Sequence, residues 1–264
     1  MSLAVGTGAR VADYQLLRSL GSGPRGEVHV ATRPQRLPVD VDVVALRLLR
    51  ALSTAETFYR AAEDLRFAVA QRSPYLLTIF EAGQQSGAFF VAMEYLPGGT
   101  LAAPTDSTRA LRDVADAARG AADLHAAGLV HRGISPGNVL VAAYGAKLAD
   151  PNLNHIFTPG RVLTAGGGAT GLEYTDPGLL RGEPARPHHD VWALGALLHR
   201  VAAGTGLYGG RPVDGAAGLR RVLTTPPTVS AALPTALADL VHACVADPAE
   251  RPTAAEVAER LDRR

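Results

Sequence analysis

The sequence predicts an α+β protein in two lobes, a small β-rich N-terminal lobe over about residues 10–96 and a larger helical C-terminal lobe over about residues 97–262. Three observations carry that expectation. Short β-branched and apolar runs, parted by Gly- and Pro-containing turns, fill the first third of the chain. Pro97-Gly98-Gly99 then breaks the pattern and reads as a hinge. Beyond it, Leu and Ala recur at the spacing of one helix face. At 264 residues, 47% of them hydrophobic and 19% charged, the chain can bury a sizeable core as a single bilobal domain, with no room for a second large one.

In order along the chain, strands are predicted over 14–20, 27–31 and 41–49. An Ala-rich helix over 54–72 follows, with Ser53 or Thr54 as its cap. Two further strands, 76–80 and 88–95, complete the first lobe. The second begins with a helix over 108–127 that stops at Gly128, a residue suited to the left-handed turn after a helix. Short strands over 139–142 and 146–149 come next, then a long loop containing Gly166-Gly167-Gly168. Helices over 190–203, 235–246 and 253–260 close the chain.

A formal net charge of +1 gives no electrostatic reason to bind nucleic acid or an anionic membrane. Lys147 is the sole lysine, and the wealth of Arg, Ala, Gly and Pro suggests a GC-rich genome. Cys244 is the single cysteine, so no internal disulfide forms, and its apolar neighbours place it on a packed helix face. No run reaches the ~20 apolar residues that span a bilayer, and residues 1–20 lack a secretory pattern. A cytoplasmic location is expected, alone or as the cytoplasmic part of a larger membrane protein.

Eight segments carry the chemistry. Gly21, Gly23 and Gly26 with Val28 form Gly-x-Gly-x-x-Gly-x-Val between two strands, where backbone N–H groups can approach phosphates. Pro24 deprives that turn of one N–H, and taken alone the segment reads equally as a tight hairpin. Val44-Ala45-Leu46-Arg47 and Met93-Glu94-Tyr95-Leu96 follow on strands. Then come His131-Arg132-Gly133-Ile134-Ser135-Pro136-Gly137-Asn138-Val139 and Lys147-Leu148-Ala149-Asp150-Pro151-Asn152. Gly171-Leu172-Glu173-Tyr174-Thr175-Asp176-Pro177-Gly178 precedes Asp190-Val191-Trp192-Ala193-Leu194-Gly195, and Arg251-Pro252-Thr253 closes the series.

In this order and spacing the segments resemble the protein kinase-like superfamily over residues 14–261, in its bacterial Ser/Thr form, and composition points to an actinobacterial source. The resemblance implies a bilobal fold and assigns a role to each position. In His-Arg-Asp-Leu-Lys-Pro-Glu-Asn the aspartate that takes the substrate proton is here Gly133, and the lysine that steadies the phosphoryl group is Ser135. Arg47 replaces the lysine that meets the nucleotide's α- and β-phosphates, offering a planar fork instead of a compact ammonium. Its acidic helix partner is either Glu63 or Asp64; a solvated helix face explains either equally well. Met93, Glu94 and Tyr95 stand where the backbone meets adenine. Asn138 and Asp150 are the remaining metal-ligand positions, although Asp150 reads equally as a turn residue. Pro151 and Asn152 replace the mobile Phe and Gly that normally follow that aspartate. Leu172 is read as the replacement for the threonine of Gly-Thr-x-x-Tyr, and Gly178 replaces a structural glutamate whose partner remains as Arg251. His131, Asp190, Trp192 and Arg251 hold the scaffold.

The expected function is that of a catalytically inactive pseudokinase, a regulatory or scaffolding module without a required cofactor and with weak ATP and Mg2+ binding at most. Its expected partners are proteins, namely an active Ser/Thr kinase acting on Thr158, Thr164, Thr170 or Thr175, and a forkhead-associated domain reading the phosphothreonine. The alternatives are an ATP-binding switch and a kinase-like enzyme of altered chemistry.

Overall fold

A computed structural model describes residues 8–23, 26–49, 72–85, 88–103, 106–150, 171–209 and 215–263. The chain divides into two units, Met1–Arg72 with Thr78–Leu96, and Ser73–Leu77 with Pro97–Arg264.

In the first unit, β-branched and aromatic residues alternate with polar ones, which suits strands that bury one face. The strands are β1 (Arg10–Val11), β2 (Tyr14–Gly23), β3 (Gly26–Thr32), β4 (Val43–Leu49), β5 (Ile79–Gln85) and β6 (Ala88–Met93). They form one antiparallel sheet in the order β1-β2-β3-β4-β6-β5. The register places Leu16, Ala31, Val44, Leu46, Phe90 and Ala92 on one face, where with Tyr14 they make the core of this unit. Arg36 ties the sheet's rim together. It meets both oxygens of Asp13 at 2.6 and 2.8 Å and both of Glu81 at 2.5 and 2.7 Å. The strand expected over 76–80 is corrected. Leu76 is buried in the second unit's core and bridges Leu148, and β5 starts only at Ile79. The helix expected over 54–72 lies outside the described residues except for Arg72.

The second unit is built on α1 (Ser107–Ala126), α3 (Pro187–Ala203), α5 (Thr235–Cys244) and α6 (Ala254–Asp262), joined by the short α2 (Pro177–Leu180) and by α4 (Gly215–Thr224). Asp106 starts α1 by accepting the N–H groups of Thr108 and Arg109 at 3.0 and 3.1 Å. Its end is a Schellman turn: Gly128, at φ +75°, donates to His125 O, and Leu129 donates to Leu124 O. Thr253 and Glu256 cap α6 reciprocally. Val114, Ala118 and Leu124 of α1 and Leu194, Leu197 and Leu198 of α3 are fully buried, and the core continues through Leu240, Val241 and Val257. Cys244 belongs to it, with burial pushing its thiol up to about 12. The hairpin β7 (Val139–Val141) and β8 (Ala146–Leu148) packs on α1. The sequence offered no signal for α2 or α4: one is a single turn, and the other carries two glycines. No helix among the described residues is long and apolar enough to cross a membrane.

Candidate functional site

Two groups of candidate residues are described, one in each unit. In the first, Gly23 pairs with Gly26 across the end of the β2–β3 hairpin, and Gly21 and Gly26 sit at φ +148° and +122°. A Cβ at Gly26 would fall 1.8 Å from Leu48 O, so close approach of β4 requires this glycine. Strand pairing then sets Val28 opposite Arg47 and Arg47 opposite Val91, with Ala45 opposite Met93. Val28, Arg47 and Met93 therefore share the face turned away from that unit's own core, with Met93 buried and Arg47 half-buried. Glu94 follows the sheet, its N–H on Thr78 O at 2.9 Å. The Tyr95 ring is held by Arg18, whose guanidinium lies 5.5 Å from the ring centroid and also donates to the phenol oxygen. Pro24, Glu63 and Asp64 lie outside the described residues.

In the second unit the loop between α1 and β7 is organised by Asp190 of α3. Its Oδ2 accepts the His131 N–H at 2.7 Å and its Oδ1 the Arg132 N–H at 2.9 Å. His125 adds a third contact, Nε2 to Asp190 Oδ2 at 2.8 Å, which the motif reading missed; a histidine near a helix end, six residues before His131, was its only signal. The fully buried His131 ring spans the loop. Nδ1 accepts from Gly133 N–H at 3.2 Å, which leaves Nε2–H to donate to Ala149 O at 2.9 Å. Asn138 Nδ2 donates to Gly133 O at 2.6 Å, and Asn138 O accepts from Ala149 N–H at 2.8 Å. The loop thus has its backbone pinned on both sides of residue 133, where there is no side chain. Arg132 and Asp150 stand at φ +61° and +62°, a left-handed conformation that an aspartate tolerates better than most residues.

Asn138 and Asp150 are 3% and 6% exposed and neighbour one another through the Ala149–Asn138 backbone bond. The Asn138 amide oxygen and the Asp150 carboxylate are both oxygen donors. That chemistry fits a hard ion such as Mg2+. Phosphates on such an ion would find oxygen ligands here but no carboxylate at 133 and no cationic side chain at Ser135.

The segment after residue 170 changes three readings. Leu172 turns its side chain into the hydrophobic core, so the threonine place, three residues before Tyr174, falls to Gly171. No hydroxyl stands there either way. Thr175 is 8% exposed and its hydroxyl donates to Gly171 O at 2.9 Å, so it is corrected from phosphoacceptor candidate to buried structural residue. Arg251, whose glutamate partner is lost at Gly178, pairs instead with Asp176, donates to His188 O at 3.0 Å, and lies 5.2 Å over the Trp192 ring. Glu173 and Arg200 form a pair at 2.6 Å, and burial, then the Glu173 charge, push the Tyr174 phenol up to about 12. Thr158, Thr164, Thr170, Pro151 and Asn152 lie outside the described residues.

A family model described as "Protein kinase domain" matches residues 14–261. The chain is 29% identical to the probable serine/threonine-protein kinase PkwA of Thermomonospora curvata over 98% of its own length and 35% of that protein. It is 31% identical to serine/threonine-protein kinase PknB of Mycobacterium tuberculosis over 72% of its length and 32% of that protein. The chain thus spans about a third of the length of these curated relatives. Among solved structures, the Mycobacterium tuberculosis PknI kinase domain matches with a TM-score of 0.72, at 23% identity, over 98% of this chain and 99% of that one.

Proposed function

The chain belongs to the protein kinase domain family, and from that premise we propose that it is a catalytically inactive member, a pseudokinase that works by binding other proteins. The observation that carries this reading is Gly133. The position from which a carboxylate would take the proton of the substrate hydroxyl has no side chain, in a loop whose backbone is otherwise pinned. General-base assistance is worth about 10²–10⁴ in rate, and nothing at Ser135 or Gly171 replaces it. Arg47 in place of lysine points the same way. The residues that hold the loop's shape, His131 and Asp190, are in place. A retained scaffold with absent chemistry suits a regulatory or scaffolding module.

Such a module is phosphorylated by an active Ser/Thr kinase on Thr158, Thr164 or Thr170 and read by a forkhead-associated domain, in the cytoplasm. The test is transfer of labelled phosphate from ATP to itself and to generic protein substrates, with phosphosite mapping after incubation with an active Ser/Thr kinase. No transfer by the chain alone is expected. Robust transfer that Asp150→Ala abolishes would overturn the reading. A second reading, an ATP-binding switch without turnover, draws on the oxygen donors of Asn138 and Asp150 and on the cationic Arg47.

A further inference from the structure

The first turn of α3 carries two consecutive histidines that the kinase-like machinery does not use. His188 Nε2 and His189 Nε2 are both buried and have no hydrogen-bond partner, and His189 is 2% exposed. The two ring centroids are 4.1 Å apart. His189 Nε2 lies 3.8 Å from Glu183 Oε2, beyond hydrogen-bond range. One ligand atom from each of Glu183, His188 and His189 lies within 4.8 Å of the others. Two imidazole nitrogens and one carboxylate oxygen converging in this way form a three-ligand donor set with one position open.

Gly178 belongs to the same arrangement. It stands inside α2 with no positive φ, so its lack of a side chain serves space rather than backbone conformation. A Cβ there would lie 2.7 Å from Glu183 Oε2 and 3.0 Å from Oε1. The Glu183 N–H also donates to Gly178 O at 3.1 Å, which anchors the residue above that gap. The glycine therefore admits the Glu183 carboxylate to the position from which it faces His189.

We propose that Glu183, His188 and His189 bind one late first-row divalent metal ion of the zinc type. The N-terminal end of α3 and the Arg251 guanidinium disfavour any cation here, while the Glu183 and Asp176 carboxylates offset them. The two imidazole donors select an ion that bonds nitrogen strongly over Mg2+ or Ca2+, which prefer oxygen. On His189, Nδ1 lies 3.2 Å from Arg186 O, a carbonyl placed to accept Nδ1–H while Nε2 holds the metal. The competing 2.9 Å contact from Arg186 N–H is given up in that tautomer.

The test is calorimetric titration of the whole chain with ZnCl2, with CoCl2 absorbance as a report of tetrahedral nitrogen and oxygen ligation and MgCl2 as the contrast. One equivalent of zinc per chain and no magnesium response at this site are expected. Glu183→Gln, His189→Gln and Gly178→Ala should each weaken zinc by about tenfold or more, while His242→Gln, on an exposed part of α5, should not. Glu183 is half exposed, so its variant keeps the test decisive if a histidine variant fails to fold. Absence of a stoichiometric zinc site, or one that Glu183→Gln leaves intact, overturns the proposal.

Discussion

Asp190 is 1% exposed and accepts two backbone N–H groups and an imidazole contact. Its removal leaves buried donors unmatched, each costing about 1–3 kcal/mol. Asp190→Ala should therefore lower the melting temperature by several degrees, about 2–4 °C per kcal/mol in a chain of this size. Asp150→Asn keeps side-chain shape and tolerance of the left-handed backbone, and should shift it far less. Equal shifts in parallel melts would contradict the assignment. Asp113 presents the opposite case. Its side chain is buried in α1 with neither oxygen hydrogen-bonded, and the Arg109 Nε is 3.8 Å away. Burial raises its pKa against the pull of Arg109. A raised folded-state pKa means the protonated form favours folding. That stabilisation is complete below the unfolded carboxyl's ~3.9 and is lost as pH rises through the folded value. Asp113→Asn should thus be more stable than the parent at pH 7 by about 1 kcal/mol, with the gap closing as pH falls toward 4. A gap independent of pH would mean that Asp113 is not titrating in this way.

At the scale of elements, helix ends were more legible than helix existence. The run over 108–127 and the stop at Gly128 emerged from apolar spacing and one glycine, and both 5→2 and 6→1 bonds of the turn are present. A residue with a Cβ pays for φ +75°, so Gly128→Ala should cost about 1 kcal/mol, measured by denaturant midpoint, while the exposed Gly137, without positive φ, should tolerate alanine. Equal effects at both would remove the Schellman turn as the reason for that glycine. Strands were less legible. The apolar run over 76–80 predicts one strand, because hydrophobicity does not say which core a residue enters. Leu76 bridges Leu148 in the second unit, and the strand of the first begins at Ile79.

For the whole molecule, a ligand that binds the folded chain raises its stability in proportion to the logarithm of concentration over Kd. With Arg47 for lysine, a proline without an N–H at position 24 of the Gly-x-Gly-x-x-Gly segment and two metal-ligand positions at most, nucleotide affinity is expected to be weak. Millimolar MgATP should move the melting temperature by less than about 1 °C. A shift of several degrees that Asp150→Ala removes would favour the switch reading instead.

The sequence by itself determined the two-lobed α+β plan, the family resemblance and the residues, such as Gly133 and Ser135, on which the proposal of inactivity rests, since these depend on periodicity and on residue identity at spaced positions. It also marked Asp190 as the residue holding the loop. Tertiary structure alone decided who partners whom. His125 completes the Asp190 contacts, Asp176 takes Arg251, Thr175 is buried on Gly171, and Glu183 reaches His189 across Gly178. These pairings depend on how turns and helices pack, and packing brings together residues between which the linear pattern carries no periodic signal.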